Sequence, residues 1–325
     1  QTFMNFTLLI KILILSILIL IVTIYISVLS NTNNVSFAYI TNQGEDSVSV
    51  VNLNSLIVEK KIDVGDSPLG IAIIDSKRLA IIANVDSQDL SIIDLKINEV
   101  IDTIPIGTAP LGLTPHPSGE KVFITSWFKN QVLVLSTKDF SILESFNVGE
   151  TPSGISFNAK NNYIVVACRD SNAIEIYDAS NYKLRKEIKV GKHPYGISTT
   201  NNFIWIANVY DDTISVINME NWEQKIIKVG LHPYNVISHI DKAYVTNAQG
   251  DSVSVIDLNT FKEINKINTG ETPENISVDK INNTIVITNW GSDSITIIDI
   301  KTQKPIQQIK TGLQSRSFGQ FIYTK

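Results

Sequence analysis

Seven copies of one short pattern limit what this chain can fold into. A Gly-x-x-Pro segment recurs at Gly65/Pro68, Gly107/Pro110, Gly149/Pro152, Gly191/Pro194, Gly230/Pro233 and Gly270/Pro273. A seventh glycine, Gly312, keeps the place but is followed by Ser315 instead of proline. The glycines are spaced by 42, 42, 42, 39, 40 and 42 residues. A second landmark keeps the same beat at Asn42, Asn84, Ser126, Cys168, Asn208, Asn247 and Asn289. Two of its copies sit in "AYITNQGEDSVSVVNL" and "AYVTNAQGDSVSVIDL", which begin 205 residues apart and agree at ten of sixteen positions. Self-similarity of this kind marks a repeat architecture, in which each unit buries its faces on its neighbours.

A period of about 40 residues is shared by HEAT-type helical arrays and by four-stranded propeller blades. The pattern inside each unit decides between them. "DSVSVID", "DTISVIN" and "DSITIID" alternate β-branched with small polar residues and are bounded by Asn, Asp and Gly, which predicts strands. No unit carries a helical stripe. In the first complete unit the strands, lettered A to D from the axis outward, are expected at Leu69–Ile73, Leu79–Asn84, Leu90–Leu95 and Val100–Ile106. Residues 37–64 supply strands B, C and D with no A before them, and residues 315–322, "SRSFGQFI", supply an A with nothing after it. The expected fold is therefore all-β: a seven-bladed β-propeller of four-stranded blades. Its last blade is closed by the C-terminal inner strand and the three N-terminal strands, which leaves no open sheet edge at the seam.

The recurring polar residues fit turns. Asp46, Gln88, Asn130, Asn172, Asp212, Asp251 and Asp293 each stand four residues after the second landmark. Most are types that cap a tight turn with their own side chain. The landmark glycines are expected to cross to the next blade with φ > 0. Ser126 and Cys168, which replace asparagine, predict two altered turns.

Composition sets further limits. A net charge of −5 gives no basic footprint, so phosphate-driven nucleic-acid binding is not expected. A lone Cys168 excludes an internal disulfide, and the absence of Cys-x-x-Cys-His excludes covalent haem attachment. Ahead of the repeats, residues 12–29 are uncharged and mostly apolar, "ILILSILILIVTIYISVL", after Lys11. As a helix that stretch would be ~27 Å long, close to the hydrocarbon thickness of a bilayer. Residues 1–30 are thus expected to be a membrane anchor or a cleaved leader, 31–36 a linker and 37–325 the propeller. Either form of the N-terminal segment places the propeller outside the cytoplasm, in the periplasm or at the cell surface, as a monomer.

The "YVTN" of Tyr244–Asn247, its variant "YITN" at Tyr39–Asn42, and the "VGxxP" and "SVSVID" segments resemble the YVTN family of propeller repeats, which includes the YncE-like proteins. The resemblance covers residues 35–325. It implies an exported seven-bladed propeller and no particular reaction, since the group resembles scaffolds as well as quinoprotein-associated and lactonase-type propellers.

Strand order places the D-to-A and B-to-C loops on one face, called here the DA/BC face, and the A-to-B and C-to-D loops on the other, the AB/CD face. The residues that follow the prolines are Leu69, Leu111, Ser153, Tyr195, Tyr234 and Glu274, with Arg316 in the proline-free unit; these are expected to rim the central channel. The B-to-C loops add Gln43, Trp127, Arg169, Tyr210, Gln249 and Trp290. Large amphipathic and charged types of this kind supply anchors and directional bonds. Trp127, Arg169, Tyr195, Tyr210, Tyr234, Glu274, Trp290 and Arg316 are the candidate contacts for a small molecule or an envelope protein. The competing reading has the aromatics merely covering the sheet tops and Glu274 pairing with Arg316 as an exposed ion pair.

Catalytic signatures are sparse. "GETPSG" lacks the strand–elbow–helix context of a hydrolase nucleophile. A lactonase-type metal would need carboxylates and amides in the channel, where Glu274, Asn235 and Asn275 are the candidates. His193 and His232, each before a proline, read as turn residues, as does His116; Cys168 reads as a buried filler. No cofactor and no metal ligand set is expected. The leading expectation is a binding scaffold, with a lactonase- or quinoprotein-like enzyme or a structural surface protein as alternatives. The AB/CD face, with "DSKR", "PSGEK", "NAKNN" and "DKINN", reads as ordinary solvated turns.

Overall fold

The computed structural model describes residues 12–17, 19 and 34–325. Residues 12–17 and 19 are helical, and the other residues of the apolar stretch lie outside the described residues, as do the first three residues of the expected linker. Among the described residues, no helix is long and apolar enough to cross a membrane.

Residues 36–324 form seven antiparallel blades of four strands. In blade 1 the strands are Pro68–Ile74, Leu79–Asn84, Asp89–Asp94 and Glu99–Pro105, within a residue or so of their expected limits. Blades 2 to 6 follow at 110–147, 152–189, 194–228, 233–268 and 273–310. Strands B and C are buried along nearly their whole length, for example in Tyr163–Cys168 and Ala173–Asp178 of blade 3. The outer strands, such as Leu184–Lys189, alternate exposed and half-buried residues and carry the charges. The difference follows from face-to-face packing of blades. Val165, Ala167, Ile174 and Ile176 of blade 3 pack on Ile197, Ile204, Ile206 and Ile217 of blade 4, so both faces of a middle strand are covered.

Blade 7 closes the ring from both chain ends. Its strands are Ile322–Thr324, Ser36–Asn42, Ser47–Asn52 and Ile57–Asp63, from the axis outward. The inner strand extends beyond the expected 315–322 and is interrupted. Ser315 bridges to Asn42, Phe318–Gln320 swings across to run parallel to the inner strand of blade 1, and Ile322–Thr324 returns to Ser36–Ala38. Gly319 permits the excursion: it has φ +133°, and a Cβ there would lie 2.1 Å from the carbonyl oxygen of Ile71.

The two sequence landmarks are mates. A Cβ on Gly191 would come within 2.6 Å of Asn208 Cγ, and one on Gly230 within 2.5 Å of Asn247 Cγ. Those asparagines donate in turn from Nδ2 to the C strand, to Ser215 at 3.0 Å and Ser254 at 2.9 Å. Glycine is therefore required for close approach, not for positive φ. Among the seven landmark glycines only Gly107 has φ > 0, at +64°, and nothing lies near its virtual Cβ. The landmark of this blade is Ser126, the replaced asparagine, whose hydroxyl shares a hydrogen bond with that of Thr108 instead. The altered turn expected at Ser126 is present. At Cys168 the turn keeps the common form, with Thr151 at φ 53°.

All seven polar turn residues sit at φ between 44° and 56°. Six of them also reach across to the next blade: Asp46, Asn130, Asn172, Asp212, Asp251 and Asp293 accept the N–H of Ser67, Thr151, His193, His232, Thr272 and Gln314 at 2.8–2.9 Å. A second latch lies nearer the axis. The hydroxyls of Thr41, Thr125, Thr246 and Thr288 donate to the carbonyls of Leu69, Ser153, Glu274 and Arg316 in the following blade. Blade 3 has Ala167 at that position, and Ser153 Oγ donates to Pro194 O at 3.1 Å in its stead. These bonds fix the backbone of the residues at the DA/BC mouth.

Candidate functional site at the DA/BC mouth

The residues after the prolines do not rim an open channel. Leu69, Leu111 and Tyr195 pack with Phe318 into one apolar cluster, against which Trp127 and Tyr234 lean. Tyr195 and Tyr234 have ring centroids 4.4 Å apart, and Tyr195 lies 5.1 Å from Phe318. The cluster plugs the mouth and forms the floor of a cleft above it.

Arg316 completes the plug. Its Nε donates to Glu274 Oε2 at 2.6 Å and its Nη2 to Glu274 Oε1 at 2.9 Å, a bidentate pair. Nη1 donates to Gln43 Oε1 at 2.9 Å and Nη2 also to Tyr234 Oη at 3.0 Å. The two charged side chains are only 17% and 6% exposed, which corrects the expectation of a solvated surface pair. Burial works against the Arg316 charge, but Tyr234 and Glu274 hold the guanidinium firmly protonated. Burial likewise pushes the Tyr195 and Tyr234 phenols up, so both are neutral hydrogen-bonding groups at neutral pH.

Above this floor lies a cleft of about 230 Å³ lined by Trp127, Arg169, His193, Tyr195, Val209, Tyr210, Tyr234 and Arg316. Six of the eight sequence candidates line it. Glu274 stands behind Arg316, and Trp290 is not part of the lining. A second hollow continues outward between Arg169, Asp170, Lys192, His193 and Tyr210. Arg169 places its guanidinium carbon 5.2 Å from the Trp127 ring centroid and its Nε 3.1 Å from Asp170 Oδ1. Trp127 stacks on Phe128, which is 75% exposed, and Tyr210 on the far wall is 60% exposed. The Trp127 Nε1 atom is buried without a hydrogen-bond partner.

His193 was missed by sequence reasoning, which assigned it to a turn. It is in a turn, at φ 57°, but that turn aims the imidazole into the cleft. The ring lies 4.0 Å from Tyr210 and its Nε2 is 3.2 Å from Asp170 Oδ1. Burial and then Arg169 lower its pKa, against the pull of Asp170. Burial opposes ionisation of Asp170, yet hydrogen bonds from Thr151 and Arg169 outweigh it and keep the carboxyl below its usual range. The only signal for His193 in the sequence is its place in the D-to-A loop, two residues past the landmark glycine.

The other chemical candidates fall elsewhere. Asn235 and Asn275 are buried beside the axis, where Asn235 Nδ2 donates to Asn275 Oδ1 at 2.9 Å. Cys168 is wholly buried, and burial pushes its thiol up, out of the reactive range. Among the described residues no group of three or more His, Cys, Asp or Glu side chains converges as a metal site.

Comparison with known proteins agrees with this architecture. No curated protein sequence matches the chain. A functionally unknown protein from Desulfotomaculum acetoxidans superposes with TM-score 0.77 at 14% identity, over 90% of this chain and 98% of its own. Kuenenia stuttgartiensis hydrazine synthase gives 0.74 at 14% identity, over 80% and 91%. Dihydro-heme d1 dehydrogenase NirN, in complex with DHE, gives 0.68 at 13% identity, over 87% and 74%. At such identities these likenesses concern the fold alone. The model of the YncE-like β-propellers matches residues 13–321, nearly the whole chain, and the protein belongs to that family.

Proposed function

We propose that this protein is an extracytoplasmic binding scaffold, held near a membrane by its N-terminal apolar segment, that takes a small molecule or envelope protein in the DA/BC cleft without chemistry of its own. The observation that carries the reading is the contrast between floor and walls. The floor is a closed, self-satisfied plug, whereas Arg169, Trp127, Phe128 and Tyr210 present a cation and aromatic faces to solvent from neighbouring blades. Aromatic and arginine anchors beside a concavity are what recognition surfaces use. Three blades hold them, so a rigid frame presents them without an ordering cost.

Native mass spectrometry of the exported protein, with metal analysis, is the test. A bound molecule or partner that is lost when Trp127 and Arg169 are both replaced by alanine supports the reading; binding that survives the double replacement overturns it. The His193–Asp170 pair favours a second reading, a propeller enzyme using that imidazole as a base. A stoichiometric quinone or metal in the same spectrum would move that reading ahead.

A further inference from the structure

The opposite mouth carries a site of its own, independent of the reading above. On the AB/CD face, the ends of the inner strands of blades 4, 5 and 6 line a hollow of about 300 Å³ that opens to solvent. Ser198, Thr199 and Thr200 come from blade 4, Ser238 and His239 from blade 5, Ser277 and Lys280 from blade 6, and Gln320 from the C-terminal segment.

Part of this lining is satisfied. Thr199 Oγ1 donates to Phe157 O at 3.0 Å, Thr200 Oγ1 accepts the N–H of Phe203 at 3.1 Å, and Ser277 Oγ donates to Gln320 Oε1 at 3.2 Å. Four groups are not. Ser198 Oγ is buried with no hydrogen-bond partner, and among the described residues the Ser238 hydroxyl, the His239 ring nitrogens and the Lys280 ammonium make no hydrogen bond or ion pair either. Buried polar groups are seldom left unpaired, so the Ser198 hydroxyl calls for a partner; Ser238 and His239, half-buried, and Lys280, exposed, offer their donors to the same void.

Their chemistry says which kind. Every one of the four is a donor, and no carboxylate lines the cavity. The neighbouring Asp279 is already used: its oxygens accept from Ser36 Oγ at 2.8 Å, the Ile281 N–H at 3.0 Å and Asn282 Nδ2 at 2.6 Å. Asp75 is the other acidic group within electrostatic reach of Lys280; burial pushes its carboxyl up and Lys280 only partly opposes this. Burial and the Lys280 charge lower the pKa of His239, so at neutral pH its ring is an uncharged hydrogen-bonding group.

The geometry points to a small-oxyanion site at the AB/CD mouth, in which Lys280 supplies the charge and His239, Ser198 and Ser238 the directional hydrogen bonds to a phosphate or carboxylate group. The part of the ligand seated in the hollow is compact: the anionic group and a short polar body that meets Thr199, Thr200 and Gln320.

Calorimetric titration of the full chain with inorganic phosphate and, separately, citrate tests this. At least one anion is expected to bind at a single site. Lys280→Gln is expected to weaken that binding at least tenfold, while Lys96→Gln, which removes the same charge from an exposed turn of blade 1, leaves it within twofold. The tighter of the two anions identifies the group recognised. Binding of neither anion, or equal weakening by both substitutions, overturns the proposal. Should Lys280→Gln fail to fold, Ser238→Ala removes only an unpartnered hydroxyl, and unchanged binding in that variant overturns the proposal as well.

Discussion

At the DA/BC mouth Arg316 has a donor bond to Glu274, Gln43 and Tyr234, and the aromatic rings around it seal the axis. At the AB/CD mouth, among the described residues, exposed Lys280 has no such partner, and the Ser198 hydroxyl is buried and unused. The same set of inner strands makes both ends, so the fold does not dictate the difference. What differs is the residue each strand places at its entry and at its exit. Entry residues are gripped by the threonine latches and packed on one another, whereas exit residues face a void. A propeller can thus use one end of its axis for structure and still keep polar groups available at the other.

The largest expected effect comes from breaking the segment common to both ends. Residues 316–325 carry Arg316 to one mouth and Gln320 to the other, and they also provide the inner strand of blade 7. Deleting them should open the ring, expose the edge at Ser36–Asn42 and abolish cooperative unfolding by calorimetry. A truncated chain that still melts in a single transition would show that closure does not hold the two ends together.

A narrower substitution separates plug from cleft. Glu274→Ala leaves the Arg316 guanidinium buried and unpaired, which should cost about 3–5 kcal/mol in chemical denaturation. Asp170→Ala removes the partner of Arg169 at a more open position, and a change of no more than about 1 kcal/mol is expected. Equal losses at both positions would mean that the plug and the cleft wall are not distinct.

The fold was legible because a repeat multiplies weak local signals. One "SVSVID" would be ambiguous, but its recurrence with glycine and asparagine at fixed offsets specifies four strands, a count of seven and the closing seam. What the sequence did not disclose is why the landmarks recur together. The glycine answers the asparagine packed against it, as Gly191 does Asn208, and Gly107 turns to positive φ where that partner is Ser126. The candidate site was legible to the extent that it follows blade phase: Trp127, Arg169 and Tyr210 lie one or two residues past the second landmark, and Tyr195, Tyr234 and Arg316 share the place that follows the proline. Its burial was not. Nothing near Glu274 or Arg316 in the chain announces that the pair is enclosed, because Tyr234 and Gln43 lie 82 and 273 residues from Arg316 in sequence, and only the closed ring brings them beside it. The AB/CD cavity was hidden for a related reason. Ser198 and His239 sit at the ends of inner strands and Lys280 in the turn after one, places that look ordinary when read alone, and only the ring brings them together.

The smallest effect is a pH dependence shared by the two ends. His193 at one mouth and His239 at the other both have pKa values lowered from 6.5, in each case chiefly by burial. A histidine whose folded pKa lies below its unfolded value binds fewer protons when folded, so stability rises with pH across that interval. The contribution is complete above about 6.5 and is lost as pH falls through the folded pKa. Melting temperature should therefore decline from pH 6.5 downward, and His193→Gln and His239→Gln should each flatten part of the decline. An oxyanion at the AB/CD mouth would favour the protonated His239 ring and reduce its part of the slope, while leaving that of His193 unchanged. If the anion flattened both parts equally, it would be acting on the protein at large and not at one end of the axis.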